Sequence, residues 1–400
     1  MRRPELDNIL TLMLESQPEV SDLLFTVDKP MQVESFGLLH PVPCEPPIGK
    51  LTPFQTEMIA LNLIGDNAWH IADLLRRGSC DTAYTLTDKA RFRISIFSQR
   101  GNYSIVLRKL NTSIPTLEWL SFPDIIRQIP KEKTGLVLVT GATGSGKSTT
   151  LAAVLNEINH TSPVHIITLE DPVEFVHPHD RATFNQRELG TDFDTFSNGL
   201  RAALRQAPKV ILVGEMRDRE TVKIALSAAE TGHLVLSTLH TIDAGQTINR
   251  ILGMFETEEQ EQIRARLADT LRWVLSQRLV PRIGGGRYAL VEIMGSNLRV
   301  QETIRLGESE GKSFYEIIEA SQPFGWRTFD FSSLEAYENN KITEEIALLH
   351  CTKRGPVMRG IDNLKKSRGE STTTMNSLRM KANQMAAKAA STNPVTLKLK

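Results

Sequence analysis

One octapeptide constrains this chain more than any other feature. Gly141-Ala142-Thr143-Gly144-Ser145-Gly146-Lys147-Ser148 fits G-x-x-x-x-G-K-[ST] at every position. It follows the apolar run Gly135–Thr140 and opens a segment, residues 148–158, with helical spacing. That strand–loop–helix context separates a phosphate-binding loop from an incidental glycine turn. The glycines let backbone N–H groups turn inward, and the helix start adds partial positive charge. Residues Gly141 to Thr149 therefore form the candidate phosphate cradle. Lys147 is placed to reach the β- and γ-phosphates and Ser148 to help hold Mg²⁺.

The surrounding texture predicts an α/β layer. Residues 164–169, Val210–Val213 and 234–236 are further continuous apolar runs, as in parallel strands buried on both faces. Helical patterns at 196–205, 219–229 and 244–251 alternate with them. Residues 258–279 read as a continuing helical segment. Gly284-Gly285-Gly286 is a turn before a late strand at 287–293. Residues 1–110 have a different character and predict a small α+β unit. Leu6, Ile9, Leu10, Met13 and Leu14 recur at helical spacing, and Pro53–Ile64 and 69–75 are further helices. Strands are expected at 31–39 and 82–86, and around the alternating Phe92, Ile94 and Ile96, with 103–107 as hairpin partner across Arg100-Gly101-Asn102. Residues 111–118 form a polar, Pro-containing linker, 119–364 the α/β unit with a helical end, and 365–400 a Ser/Thr/Lys/Ala-rich tail predicted to be disordered.

A phosphate loop needs an acid at a neighbouring strand end to orient Mg²⁺ or water. Two strands offer one: Val210–Val213 runs through Gly214 into Glu215, and residues 164–169 run into Glu170 and Asp171. Ligands of α/β sheets sit at the carboxyl ends of strands, so both acids can face the nucleotide. A glutamate there, Glu215 or Glu170, can orient and deprotonate the attacking water or orient Mg²⁺ beside Ser148. His233 and His240 bracket the strand at 234–236, and His240 lies at the carboxyl end, where a γ-phosphate sensor would sit.

Composition narrows the partners. Lysine plus arginine balance aspartate plus glutamate at 47 each, which gives no general call for nucleic acid, nor is there an aromatic-interleaved basic groove. The charge is uneven: residues 365–400 carry eight basic side chains and one acid, a net +7, so the remainder carries −7. The three cysteines, Cys44, Cys80 and Cys351, stand too far apart for a C-x-x-C site and suit a reducing compartment. No run approaches the roughly 20 apolar residues that span a bilayer. A cytoplasmic protein is expected, touching a membrane only through a partner or the basic tail.

Four segments in order resemble the signature of the secretion ATPase superfamily: Walker A at 141–148, an Asp box at 167–177, Walker B at 210–221 and a His box at 231–241. Gly214-Glu215-Met216-Arg217-Asp218 and Ala229-Glu230-Thr231-Gly232-His233-Leu234 are especially characteristic. Within it the chain is most similar to the PilT/PilU retraction group, over about residues 1–365. Assembly-type relatives normally carry an extra amino-terminal domain and a four-cysteine zinc site, and this chain has neither. Two departures stand out: residues 300–305 only approximate the family's Ala-Ile-Arg segment, and the stretch from Arg359 onward is atypical. The resemblance implies a PAS-like amino-terminal domain, a RecA-like P-loop NTPase domain and a homohexameric ring. It also implies ATP with Mg²⁺ bound between the domains, and ATP hydrolysis coupled to type IV pilus retraction and twitching motility. Glu215 matches the Walker B catalytic glutamate, Glu170 and Asp171 the Asp box, and His233 and His240 the His box. Arg100 and Arg108 match the arginines that close over the phosphates, with Arg93 a weaker match. The implied partners are other copies of the chain, an inner-membrane platform protein and a paralogous retraction ATPase. The implied place is the inner face of the inner membrane. An accessory paralogue with little activity of its own, or a related secretion or assembly ATPase, would carry the same motifs.

Overall fold

A computed structural model describes residues 3–44, 49–87, 89–110, 113–370 and 372. Two sheets with separate hydrophobic cores organise it. The first is antiparallel in the order β3-β2-β1-β6-β5-β4. Its strands are β1 (Val20–Phe25), β2 (Gln32–Ser35), β3 (Leu38–Pro41), β4 (Ser79–Leu86), β5 (Ala90–Gln99) and β6 (Asn102–Leu110). Alternation along β5 puts Phe92, Ile94 and Ile96 into the core and Arg91, Arg93 and Ser95 on the other face. Helices α1 (Arg3–Glu15), α2 (Pro53–Ile64) and α3 (Ala68–Arg77) complete this unit. The expected single strand at 31–39 is two strands, because Phe36 and Gly37 both take positive φ and turn the chain between β2 and β3. Strand β1 was not anticipated.

A short helix, α4 (Leu117–Leu120), capped by Thr116, follows; residues 111 and 112 of the expected linker lie outside the described residues. The second sheet has the order β13-β12-β7-β11-β10-β8-β9 and is parallel except for its β12–β13 edge. It contains β7 (Gly135–Thr140), β8 (His165–Glu170), β9 (Thr183–Glu188), β10 (Val210–Val213), β11 (Leu234–Leu239), β12 (Leu271–Pro281) and β13 (Arg287–Gly295). Every residue of β7, β10 and β11 is buried, which is why these strands read as unbroken apolar runs. Helices α5 (Lys147–Thr161), α6 (Phe196–Ala203), α7 (Arg219–Glu230), α8 (Ala244–Leu252) and α9 (Thr257–Thr270) connect them.

The continuous helix expected over 258–279 is corrected. Helix α9 stops at Thr270, and the next residues pair with β7 on one side and β13 on the other. Strand β12 is covered on most sides, so its apolar pattern shows no period of two, and pairing overrides local preference. A carboxyl-terminal group of α10 (Leu298–Leu306), α11 (Phe314–Ala320), α12 (Phe329–Glu338), α13 (Glu344–His350) and α14 (Arg354–Ser367) closes the chain. Helix α14 carries Lys365 and Lys366, with Lys365 paired to Glu344, so helical order runs past the expected start of the tail. The other basic tail residues from Arg379 onward lie outside the described residues.

Candidate active site

The phosphate loop joins β7 to α5. Gly141 takes φ +145°, and a Cβ there would stand 2.5 Å from both Gln277 O and Ser145 Oγ. Only glycine fits that turn. Lys147 is buried, and its Nζ donates to Gly141 O at 2.9 Å and Ala142 O at 3.0 Å. Burial holds its ammonium below the ordinary lysine range, against the opposing pull of Glu215 and Glu174. Ser145 Oγ is buried within the loop with no hydrogen-bond partner among the described residues. The loop borders a cavity of about 970 Å³, whose walls include residues 143–149, Glu170, Asp171, Glu215, Arg217 and His240. That is the scale of a pocket for a nucleotide-sized ligand.

Strand ends bring the acids together as the parallel sheet requires. Strand β8 lies beside β10, so Glu170 and Asp171 at the end of one face Glu215 just past the end of the other. Glu170 Oε1 accepts from Thr168 Oγ1 at 2.6 Å and Gln186 Nε2 at 3.2 Å. Desolvation pushes the Glu170 carboxyl up to about 7, and those two hydrogen bonds oppose it only in part. Burial also raises Asp171, with Arg93 pulling the other way. Glu215 is 12% exposed and pairs with Arg217 Nη2 at 2.5 Å; His240 Nε2 stands 3.6 Å from its other oxygen. Asp218 has a separate task, since it caps α7 by accepting from Thr221 N at 2.8 Å.

Strand β11 fixes the loop beyond β10 with two hydroxyls. Ser237 Oγ donates to Val213 O and Thr238 Oγ1 to Gly214 O, both at 2.7 Å. His240 follows that strand into the cavity. His233 sits at the opposite, amino end of β11, where its Nδ1 lies 3.0 Å from Ala228 O, and it does not line the cavity. The arginines divide in a similar way. Arg93 is on the cavity wall, while Arg100 occupies the exposed β5–β6 turn. Arg108 pairs with Asp22 at 2.9 Å, and neither of these two lines the cavity.

Other lining groups gave no motif in the sequence. Gln277 on β12 donates to Thr150 Oγ1 at 2.9 Å and so ties α5 to the strand beside β7. Trp119, Phe122, Tyr288 and Arg282 also line the cavity, contributed by the α4 region and the β12–β13 hairpin. For Mg²⁺ the donor set is suitable: the exposed hydroxyl of Ser148 and the carboxylate of Glu215 are hard oxygen ligands on one cavity. No cluster of three or more His, Cys, Asp or Glu side chains able to hold a metal ion by themselves occurs among the described residues.

Comparison with known proteins agrees with this geometry. The family model described as type II/IV secretion system protein matches residues 81–395. The type IV pilus ATPase PilU of Pseudomonas aeruginosa is 38% identical over 347 residues, covering 86% of this chain and 88% of PilU. The type IV pilus retractation ATPase PilT of the same organism is 44% identical over 250 residues, 62% of this chain and 72% of PilT. A crystal structure of the pilus retraction motor PilT with bound ADP superposes with a TM-score of 0.79 at 38% identity, covering 88% of this chain and 98% of that one. The parallel core, the phosphate loop and these likenesses together place the chain in the type II/IV secretion ATPase family, as a nucleotide-binding, RecA-like ATPase of the PilT/PilU pilus-retraction type.

Proposed function

We propose that the chain is a homohexameric motor that hydrolyses ATP to drive type IV pilus retraction and twitching motility. The observation that carries this reading is one cavity walled by four motifs and by Arg93 from the other sheet. Phosphoryl transfer to water needs positioning and charge neutralisation more than covalent chemistry. Lys147 and the backbone of residues 141–149 hold the phosphates, while Arg93 adds charge from the amino-terminal side. Mg²⁺ held by Ser148 and Glu215 would neutralise phosphate charge when bound. Glu215 orients and deprotonates the attacking water, with Glu170, poised near neutrality, as partner or alternate base. His240 stands beside Glu215 and senses the γ-phosphate end. Asp171 keeps the Arg93 side of the cavity electrostatically matched.

Hydrolysis would change how the PAS-like amino-terminal unit sits on the ATPase unit. Repeated around a ring, that motion acts on an inner-membrane platform protein at the cytoplasmic face. No helix among the described residues is long and apolar enough to cross a membrane. A second reading, an accessory retraction paralogue that works with a more active ATPase, is favoured by the 38% identity to PilU over most of both chains. Steady-state ATPase measurement of the purified chain beside Glu215→Ala, with light scattering on the same samples, separates the two. Activity in a hexamer-sized species, lost in the variant, supports the autonomous motor. A folded, nucleotide-binding chain no more active than Glu215→Ala assigns it to the accessory role.

A further inference from the structure

The amino-terminal sheet meets the ATPase sheet through a small polar joint. Arg91 on β5 uses all parts of its guanidinium there. Nε donates to Val173 O at 2.9 Å, Nη1 to Thr85 Oγ1 at 2.8 Å and Nη2 to Glu188 Oε2 at 2.8 Å. The Arg91 and Glu188 side chains are only 16% and 11% exposed. Beside them Asn67 Nδ2 donates to Gly190 O at 3.1 Å, and the Trp69 ring lies so close that a Cβ on Gly190 would meet it at 2.5 Å. The loop after β9 is therefore shaped to receive α3.

Glu188 faces both units. Its Oε2 accepts from Arg91 and also from Val173 N at 3.1 Å. Val173 thus has its carbonyl held by Arg91 and its N–H held by Glu188, two residues after Asp171. Two positions earlier on β9, Gln186 donates to Glu170 Oε1 and to Phe175 O, and accepts from His177 N. Strand β9 therefore fastens residues 170–177, and Arg91 carries that fastening across to the other unit. On β5, Arg91 and Arg93 project to the same face, so anchoring the first sets the position of the second at the cavity wall.

We propose that Arg91 is a positioning residue for hydrolysis: with Glu188 it locks the loop carrying Glu170 and Asp171 to the strand carrying Arg93, so the working geometry forms only while the two units are docked. This rests on the cavity being the ATPase site. Displacements of about 1 Å at a reacting centre cost on the order of a hundredfold in rate, while binding contacts elsewhere persist. The loss therefore belongs in kcat and not in KM.

The test uses the full chain with Arg91→Ala, Arg91→Lys and the exchange Arg91→Glu with Glu188→Arg. In Arg91→Ala, kcat should fall about tenfold to a hundredfold, with KM for ATP and the affinity for a fluorescent non-hydrolysable ATP analogue within about threefold. Val173 offers both a donor and an acceptor to the exchanged pair, so the double variant should recover at least about fivefold over either of its single substitutions. Should Arg91→Ala not fold, Arg91→Lys, which keeps the charge but loses the fork, should still lower kcat by about threefold or more at parental Tm. Parental kcat in both arginine variants, a loss confined to KM, or no recovery in the exchange overturns the proposal. Robust turnover that persists undiminished in both Glu215→Ala and Glu170→Gln would instead overturn the site reading, whatever the arginine variants do.

Discussion

Replacing Glu170 by glutamine should stabilise the protein at alkaline pH and leave it unchanged in acid. The ordinary glutamate value is 4.5, and burial pushes Glu170 up to about 7. At about 1.4 kcal/mol per unit, that difference corresponds to a folding cost of about 3 kcal/mol when the group is ionised. Between the two values the folded chain holds a proton that the unfolded chain has released. Stability therefore falls as pH rises through that window, and the full cost stands above it. Glutamine keeps an oxygen in place for both Thr168 Oγ1 and Gln186 Nε2, so the hydrogen bonds survive and only the charge goes. Urea unfolding of parent and Glu170→Gln is the assay, at about pH 5, 6.5 and 8. The variant should gain about 3 kcal/mol at the highest pH, roughly three quarters of that at about pH 6.5, and roughly a quarter at about pH 5. An equal difference at all three, or a loss at about pH 8, refutes the assignment of the cost to a buried carboxylate.

Three further outcomes follow from the geometry. Gly141→Ala should abolish nucleotide binding measured by fluorescence titration, because the new methyl would meet Gln277 O at 2.5 Å in a backbone conformation that L-residues avoid. Arg93→Ala should lower kcat about tenfold or more, and Arg108→Ala and Arg100→Ala much less, in assays of a single ring population; equal losses in all three would remove Arg93's special place. Asp218→Ala should cost about 1 kcal/mol of stability through the lost α7 cap, with kcat within about twofold, because its carboxylate is committed to Thr221.

The parallel core was legible because its strands are buried on both faces and separated by phased helices. Walker A stood out for a related reason: few residue types can make that turn beside phosphates. Glu170, Glu215 and His240 were legible from their place at the carboxyl ends of apolar runs, and the sheet brings them together. The same rule says nothing about His233, which the strand carries to its other end. Strand β9 was invisible in sequence because Thr183-Phe184-Asn185-Gln186-Arg187-Glu188 is mostly polar, as an edge strand whose side chains hold a loop and a neighbouring unit must be. Strand β12 hid behind apolar residues without period. Distinguishing Arg93 from Arg100 and Arg108 needed three dimensions, since charge on a strand does not reveal which unit lies opposite.

The β12–β13 hairpin sets a limit on how short a usable version of this protein can be. Its far end puts Val280 and Leu290 at 0% exposure, but the ATPase core does not cover them. Phe329, Ala336, Ile342, Ala347, Val357 and Ile361 do, and Ser332 Oγ accepts from Val291 N at 3.2 Å. A chain ended before Phe329 would return both side chains to water at about 1.5–3 kcal/mol each. It would also bare the outer edge of the sheet as a template for unwanted strand pairing. Shortened versions made for crystallisation or screening should therefore keep Ile361, which belongs to the core that covers the hairpin.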